Sequence, residues 1–560
     1  MQPLIECVPN FSEGRRPDVI KQITDAIASV ENVKLLDVDP GKATNRTVVT
    51  FVGPPDDVIE AAFRGIRKAA ELIDMTKHQG EHPRMGATDV CPLIPISGIS
   101  MEETVAFANQ LAERVGRELQ IPVYLYEAAA RTPQRKNLAV IRAGEYEGFA
   151  QKIKQKDWKP DYGPAAIGTA GATVIGVRDF LIAYNINLNT QSVRRANSVA
   201  FDIRERGRVK RKGHPVTGEI VRDDEGNPVR IPGTLKGVKA IGWYIEEYGI
   251  AQVSMNITDI RAVPIHRAFE EARKSANKRG LIVTGSELVG MVPLKVLLDA
   301  GRYFLQKQKR STGVSEKELV HIAVKSLGLD DLAPFDPQQK IIEYRLRDQA
   351  NRLVDMNLSD FADLTASEAP APGGGSIAAY VGALGAALGA MDANLSAGKR
   401  GWDHRVKYFS AYAETGQALK AKLLHLVDED TAAFNKIMEA FRMPKSTDEE
   451  KKARTEAIRD ATLYATEVPL RTMETAFAIL DLCRAMVRNG NPNSITDAAV
   501  GALCARAAVH GAWLNVKINA RDLKDAAKRE AILEKGAAIV KKTDTAVAGI
   551  MRTVHRTLDA

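Results

Sequence analysis

Apolar residues in the first third of the chain recur with two periods that alternate along it. Leu4 to Val8, Val33 to Val38, Thr47 to Val52, Cys91 to Ile96 and Val123 to Tyr126 are short, β-branched-rich runs that predict strands. Between them, Pro17 to Ser29, Val58 to Leu72 and Glu103 to Leu119 space their apolar residues by three and four and predict helices. Asp56 and Asp57 fall in the first turn of the second helix, where the helix dipole favours carboxylates. The order βαββαβ, with a further αβ, is that of a ferredoxin-like sandwich with helices on one face.

The next section repeats this order in pattern, without repeating the residues. Leu181 to Asn187 predicts a strand, Ser192 to Arg204 a helix, Val238 to Ile245 and Ala251 to Ile257 a strand pair, Ile265 to Ala276 a helix and Leu281 to Thr284 a strand. Helices are expected at Leu294 to Leu305 and Glu316 to Ser326. A polar excursion from Arg208 to Lys236, with a DEGN turn at its centre, reads as an exposed hairpin, either a basic contact arm or a solvated loop. After Leu332 the segment APFDPQQK reads as a linker. From Ser359 onward the pattern is helical only, with long runs at Val406 to Phe441, Asp448 to Arg488, Thr496 to Asn519 and Asp522 to Leu558. Ser446 with Glu449 forms a capping-box pattern before the second run, and Pro469 is expected to kink it. The fold class is therefore α+β in the N-terminal half, as two ferredoxin-like βαββαβ subdomains, followed by an all-α helix-bundle domain. The boundaries are 1–180, 181–332 with the 208–236 hairpin inserted, a linker at 333–355, and 356–560.

Composition narrows the function without naming it. At 560 residues the chain exceeds a single core. Net charge is +8 with no Lys/Arg block or aromatic platform, which excludes a nucleic-acid footprint and suits a polyanionic small ligand. Cys7, Cys91, Cys483 and Cys504 are scattered, with no metal-ligand spacing, and no signal peptide is evident, so the expected setting is the reducing cytoplasm. Gly373 to Met391 carries no charge over about the length of a membrane span, but it is mostly Ala and Gly and reads as a tightly packed helix.

The densest chemistry lies in HQGEHPRMGATD, His78 to Asp89, which Pro and Gly keep out of regular structure. A neutral imidazole there can pass a proton to or from an amine at pH 7, so His82 is the candidate general acid/base. Asp39 is the candidate carboxylate to orient it, and Asn45 and Arg46 in the same turn are candidates to hold a substrate carboxylate. The small residues of Asp161 to Gly176 let a flat ligand approach the backbone, or simply connect subdomains. Gly373, Gly374, Gly375 and Ser376 feed a helix N-terminus that presents free N–H groups to an anion, and they also permit close helix packing. Asp430 shares a helix face with Phe434, where a carboxylate is costly unless it is paired or working; Asp428 and Glu429 beside it read as solvated. Asn515 and Asn519 share another face and could read a ligand's amide groups or join helices.

These segments, with ECVPNFSEG, ATNRT, AGEYEG, YNIN, IGWY, GSELVGMVPLK, IIEY, APGGGS, LVDED and ITDAAV, run in order along nearly the whole chain. Together they resemble the formimidoyltransferase-cyclodeaminase family, bifunctional folate enzymes of histidine breakdown. The resemblance implies transfer of a formimino group from N-formimino-L-glutamate to tetrahydrofolate. Cyclisation to 5,10-methenyl-tetrahydrofolate with release of ammonia then follows. It implies that His82 is the transferase acid/base and Asp430 the cyclodeaminase acid/base. The folate loop is implied to be Gly163, Pro164, Ala165, Ala166, Ile167, Gly168, Thr169, Ala170, Gly171 and Ala172. It also implies tetrahydrofolate as co-substrate, in polyglutamylated form, no metal, and a homo-oligomer built from dimers. The 208–236 hairpin is longer than in the family's animal enzymes, and the folate loop lacks their Ser and Trp. The alternative is a transferase whose helical domain binds folate or assembles without turnover.

Overall fold

The computed structural model describes residues 3–213, 217–346 and 352–560. The chain divides into two compact units, Met1–Ala300 with Ala323–Arg347, and Gly301–Ile322 with Asp348–Ala560. Residues 301–322, which the boundary at Leu332 places in the preceding subdomain, therefore group with the helical half.

The first layer comprises β1 (Leu4–Cys7), β2 (Asn10–Phe11), α1 (Pro17–Ala28), β3 (Lys34–Gly41), β4 (Arg46–Gly53), α2 (Pro55–Leu72), β5 (Thr88–Ser97), α3 (Met101–Glu118), β6 (Val123–Glu127), α4 (Leu138–Arg142), α5 (Glu145–Lys152) and β7 (Thr173–Val177). Val8 and Pro9 interrupt what is otherwise one strand, because β1 and β2 both pair with β4 on one side and β5 on the other. The antiparallel order β3-β4-β1/β2-β5 is the ferredoxin-like arrangement, and β7 and β6 extend it in parallel. Ile23 and Ile27 of α1, Phe63 and Ile66 of α2 and Leu111 of α3 bury against Ile5, Cys7, Val49 and Phe51 on one face of the sheet. Each such side chain contributes about 1.5–3 kcal/mol on burial. β7 lies inside the segment read as a Gly/Ala loop, and α4 and α5 were not anticipated.

The second layer has β8 (Ile182–Leu188), α6 (Val193–Ile203), a short β9 (Arg208–Val209) and β10 (Arg230–Ile231) pair, β11 (Val238–Ile245), β12 (Ile250–Ile257), α7 (Ile265–Asn277) and β13 (Val283–Val289). Its order β11-β12-β8-β13 repeats the ferredoxin-like arrangement. The 208–236 excursion is a hairpin closed by β9 and β10, with residues 214–216 outside the described set. The helices α8 (Leu294–Lys307) and α9 (Glu316–Leu327) follow. The expected linker is partly folded: α10 (Pro337–Lys340) and α11 (Ile342–Leu346) flank a buried Ile341 that bridges to Val292. Residues 347–351 of that linker lie outside the described residues.

The second unit contains α12 (Leu358–Thr365), α13 (Gly374–Ala397), α14 (Val406–Arg442), α15 (Asp448–Asn489), α16 (Ile495–Ala520) and α17 (Ala526–Leu558). α13, which carries no charge before its buried Asp392, packs against α14 and α16, burying Ala379, Ala383, Ala386 and Ala393. A Cβ at Gly385 would stand 2.8 Å from the Gly501 carbonyl oxygen, so glycine sets how closely α13 and α16 approach. The capping box before α15 is Thr447 with Glu450, one residue later than the sequence pattern placed it.

Pro469 leaves α15 continuous. Proline has no N–H, so the carbonyl four residues earlier, Ala465, loses its helical donor. The Asn519 side chain of α16 donates to that carbonyl at 2.7 Å. Of the two readings of Asn519, this bond is the joining of helices. Asn519→Ala is expected to lose about 1–3 kcal/mol, the cost of a buried orphan carbonyl, measured as a lower urea midpoint for the helical unit.

Candidate functional site

The His78–Asp89 loop enters β5 beside the start of β4. Asp89 is fully buried and sits between two arginines: Arg46 Nη1 lies 2.5 Å and Arg142 Nη2 2.6 Å from its Oδ2, while the Met85 N–H donates to Oδ1 at 3.0 Å. Burial alone would raise the Asp89 carboxyl, but Arg46 and then Arg142 outweigh it and hold it below the usual range. Arg46 also donates from Nε to Asn10 Oδ1 at 3.0 Å.

His82 is half-buried against this cluster. Its Nδ1 is 2.7 Å from the Pro83 carbonyl oxygen, which only accepts, and 3.3 Å from Arg46 Nη1, which only donates; the shorter contact assigns the proton to Nδ1 and leaves Nε2 its lone pair. Burial, then the charges of Arg46 and Arg142, push the imidazole down to about 3. His82 is thus a neutral base at pH 7. His78 is different, with both nitrogens occupied: Nε2 meets the Asn45 carbonyl at 2.9 Å and Nδ1 accepts from Arg84 Nε at 3.2 Å. Arg84 in turn pairs with Glu145 and Glu147. A groove of about 440 Å³ opens here, lined by Gln79, Gly80, Arg84 and those glutamates.

Two expected roles change. Asp39 does not face His82. It accepts a hydrogen bond from the Gly290 N–H at 3.0 Å, tying β3 to the end of β13, and the carboxylate that acts on His82 is Asp89. The side chain of Asn45 is spent on structure, accepting from Gly14 N–H and donating to the Gln79 carbonyl in a turn with φ 47°. Arg46 does reach the His82 cluster. Sequence reasoning missed Asp89 as a partner, and missed Arg142 because its helix was not foreseen. Asp39 instead adjoins a largely buried polar network carried by β8, β12 and β13 of the second sheet. There Glu287 accepts from Asn185 at 3.0 Å, Gln252 at 3.3 Å and Tyr248 at 3.3 Å, and Trp243 donates to Gln252. Burial first, then Glu287, Glu247 and Asp39, push the Tyr248 phenol up to about 12.

The loop from Gly163 to Ala172 lies beside the His82 loop. Gly171 bridges to Gly86, Ala172 N–H donates to the Met85 carbonyl at 3.0 Å and Ala87 N–H to the Ala170 carbonyl at 2.8 Å. Pro164, Ala165, Ala166, Ile167, Gly168 and Thr169 are exposed or half-exposed.

In the second unit, Gly373 caps α13 and Gly374, Gly375 and Ser376 form its first turn. Ser376 Oγ donates to Asp430 Oδ2 on α14 at 3.0 Å. A Cβ at Gly375 would overlap the Asp430 carboxylate, standing 2.6 Å from its Cγ. Burial raises the Asp430 carboxyl above its ordinary value, opposed by the hydroxyl and then the N–H of Ser376. Such a group can both give and take a proton. Its neighbours are not solvated as expected: Glu429 accepts from Tyr464 and Arg471, each at 2.6 Å, and Asp428 accepts from Leu353 N–H at 2.8 Å. Asn515 donates to the Gly511 carbonyl and stands near Gly374.

Residues 4–178 match the model of the formiminotransferase domain, N-terminal subdomain; 183–347 match the formiminotransferase domain; and 357–538 match formiminotransferase-cyclodeaminase. Over 558 residues the chain is 43% identical to formimidoyltransferase-cyclodeaminase of Mus musculus, covering 99% of each. The chain belongs to the formiminotransferase-cyclodeaminase family. Two shorter relatives correspond to parts of the bifunctional family. Glutamate formimidoyltransferase of Thermoplasma acidophilum is 45% identical over 305 residues, 54% of this chain and 92% of that one. Methenyltetrahydrofolate cyclohydrolase of Methylorubrum extorquens is 37% identical over 197 residues, 35% of this chain and 95% of that one.

Proposed function

We infer that the chain is a bifunctional enzyme that moves the formimino group of N-formimino-L-glutamate to tetrahydrofolate and then cyclises the product to 5,10-methenyl-tetrahydrofolate, releasing ammonia. The carrying observation is that each unit holds one proton-handling side chain within its matched segment, His82 in the first and Asp430 in the second. In the transferase, folate N5 attacks the formimino carbon. His82 Nε2 takes the N5 proton and returns it to the departing glutamate amine. Arg46 holds a substrate carboxylate, and the 163–172 loop carries the folate. In the cyclodeaminase, N10 attacks the carbon of the protonated formimino group, Asp430 takes the N10 proton and hands it to the amino nitrogen, and that C–N bond breaks to release ammonia, while the Gly373–Ser376 turn carries the folate there. Each step forms one C–N bond and breaks another, with a proton carried between the two nitrogens.

Three finer readings belong to the same proposal. The folate is polyglutamylated, which the net charge of +8 favours. The protein is a homo-oligomer, favoured by apolar side chains left exposed on α13 (Leu384, Met391, Leu395) and α16 (Leu503, Leu514, Ile518). It works in the cytoplasm, in keeping with four free cysteines.

The test is a turnover assay with N-formimino-L-glutamate and tetrahydrofolate. The parent protein should form 5,10-methenyl-tetrahydrofolate and ammonia, and Asp430→Asn should accumulate 5-formimino-tetrahydrofolate. Formation of neither 5-formimino- nor 5,10-methenyl-tetrahydrofolate rejects the function. Equal turnover by Asp430→Asn rejects the assignment of Asp430.

A further inference from the structure

We propose that the groove between the C-terminal turns of α15 and α17 binds a small polyanion carrying two or more carboxylate or phosphate groups. The groove encloses about 670 Å³, within the size range of sites for small ligands. Arg484 and Arg488 stand four residues apart on α15, and Arg552 and Arg556 four apart on α17. At that spacing each pair shares a helix face, so like charges are held together. Only Arg484 has a carboxylate partner, the exposed Asp481 at 2.7 Å. Among the described residues, Arg488, Arg552 and Arg556 make no ion pair. Asp544 of α17 is engaged by Arg506 and His510 of α16, and Asp559, the C-cap three residues beyond Arg556, makes no ion pair among the described residues.

The rest of the groove narrows the ligand class. Val487 and Ile550 give it a buried apolar floor, and Gly549 keeps the wall open, since a Cβ there would meet nothing nearer than Arg552 at 3.9 Å. The hydroxyls of Thr545 and Thr553 donate to carbonyls of their own helix, which leaves guanidinium as the donor type facing the groove. Arginine at a helix C-terminus also offsets the helix dipole. One residue per helix would serve that purpose, whereas two facing pairs add repulsion that an anion removes. Guanidinium forks take carboxylate or phosphate in bidentate geometry. No residue of the groove belongs to either reaction site.

Isothermal titration of the full-length protein with tripolyphosphate and with tetra-γ-glutamate tests this, together with hydrogen exchange of the parent protein in their presence. The expected result is saturable, salt-sensitive binding and slowed exchange over residues 484–488 and 549–556. Arg488→Ala with Arg552→Ala should weaken binding by about tenfold or more, the loss of at least one charge-assisted contact. The same double variant should keep the parent's transferase rate. Binding of tetra-γ-glutamate alone assigns the site to oligocarboxylates; binding of tripolyphosphate alone assigns it to phosphoryl compounds. Absence of saturable binding to both, or slowed exchange confined to other segments, overturns the proposal whether or not the double variant folds.

Discussion

Replacing His82 with alanine is expected to lower the transferase kcat by roughly 10²–10⁴-fold, the range for a positioned general acid/base. Cyclisation of supplied 5-formimino-tetrahydrofolate should continue at the parent rate. The expectation rests on the free Nε2 of His82, which its neighbour His78 lacks. His82 is held down to about 3, first by burial and then by Arg46 and Arg142, so its base form is complete across the neutral range. The acid limb of transferase kcat/KM should therefore show no ionisation near the ordinary histidine value. Stability follows the same sign. The unfolded chain binds a proton at His82 as pH falls through about 6.5, and the folded chain does so only near 3. This residue's contribution is thus present above the unfolded value and shrinks as pH falls between the two. Arg142→Met removes one of the two cations and should move the His82 ionisation upward, a shift that NMR of the ring protons can follow. A transferase that keeps parent kcat in His82→Ala would exclude the assignment.

The two sheets were legible because their helices are strongly amphipathic: Ile23 with Ile27, Phe63 with Ile66 and Leu111 with Val115 recur at helical spacing and face the first core, as Ala196, Val199, Ala200 and Ile203 do on α6 of the second. β7 was not, because TVIGV follows a run of Gly and Ala whose lack of period reads as loop. The error over Asp39 comes from strand register. Asp39 and Arg46 are close in sequence, but Asp39 pairs with Val48 on the edge strand while Arg46 reaches across to Asn10 and Asp89. Hydrophobic pattern specifies which face a residue takes, and not which neighbour its charged tip will choose. Arg142 illustrates the same limit, since a five-residue helix leaves too short a period to detect. Asp430 stood out because a carboxylate on an apolar face demands a partner; the structure gives it Ser376 as that partner, while Phe434, read as marking the face, is exposed. Glu429 escaped because Tyr464 and Arg471, which bury it, lie more than thirty residues away on α15.

Gly375→Ala is expected to be the most damaging single-carbon change in the second unit. Glycine to alanine inside a helix ordinarily stabilises by about 1 kcal/mol, so propensity alone predicts a gain. Here the added Cβ falls 2.6 Å from Asp430 Cγ and overlaps its oxygens. Either the carboxylate turns away and loses the Ser376 hydroxyl, or the first turn of α13 backs off from α14. Both displace the Asp430 carboxylate, the proposed acid/base, and a misplacement of about 1 Å costs on the order of 10²-fold in rate. The neighbouring glycines supply the control. A Cβ at Gly374 meets only Asn515 Nδ2, at 3.5 Å, and one at Gly373 meets nothing within 4 Å. Cyclodeaminase rates should therefore fall in the order Gly373→Ala, Gly374→Ala, Gly375→Ala, with the last lower by about two orders of magnitude, while transferase rates stay level in all three. Gly374 and Gly375 both lie in the first turn, where the helix-propensity gain is similar, whereas Gly373 is the N-cap; equal cyclodeaminase rates for Gly374→Ala and Gly375→Ala would mean that the fit of α13 against Asp430 plays no part in the reaction.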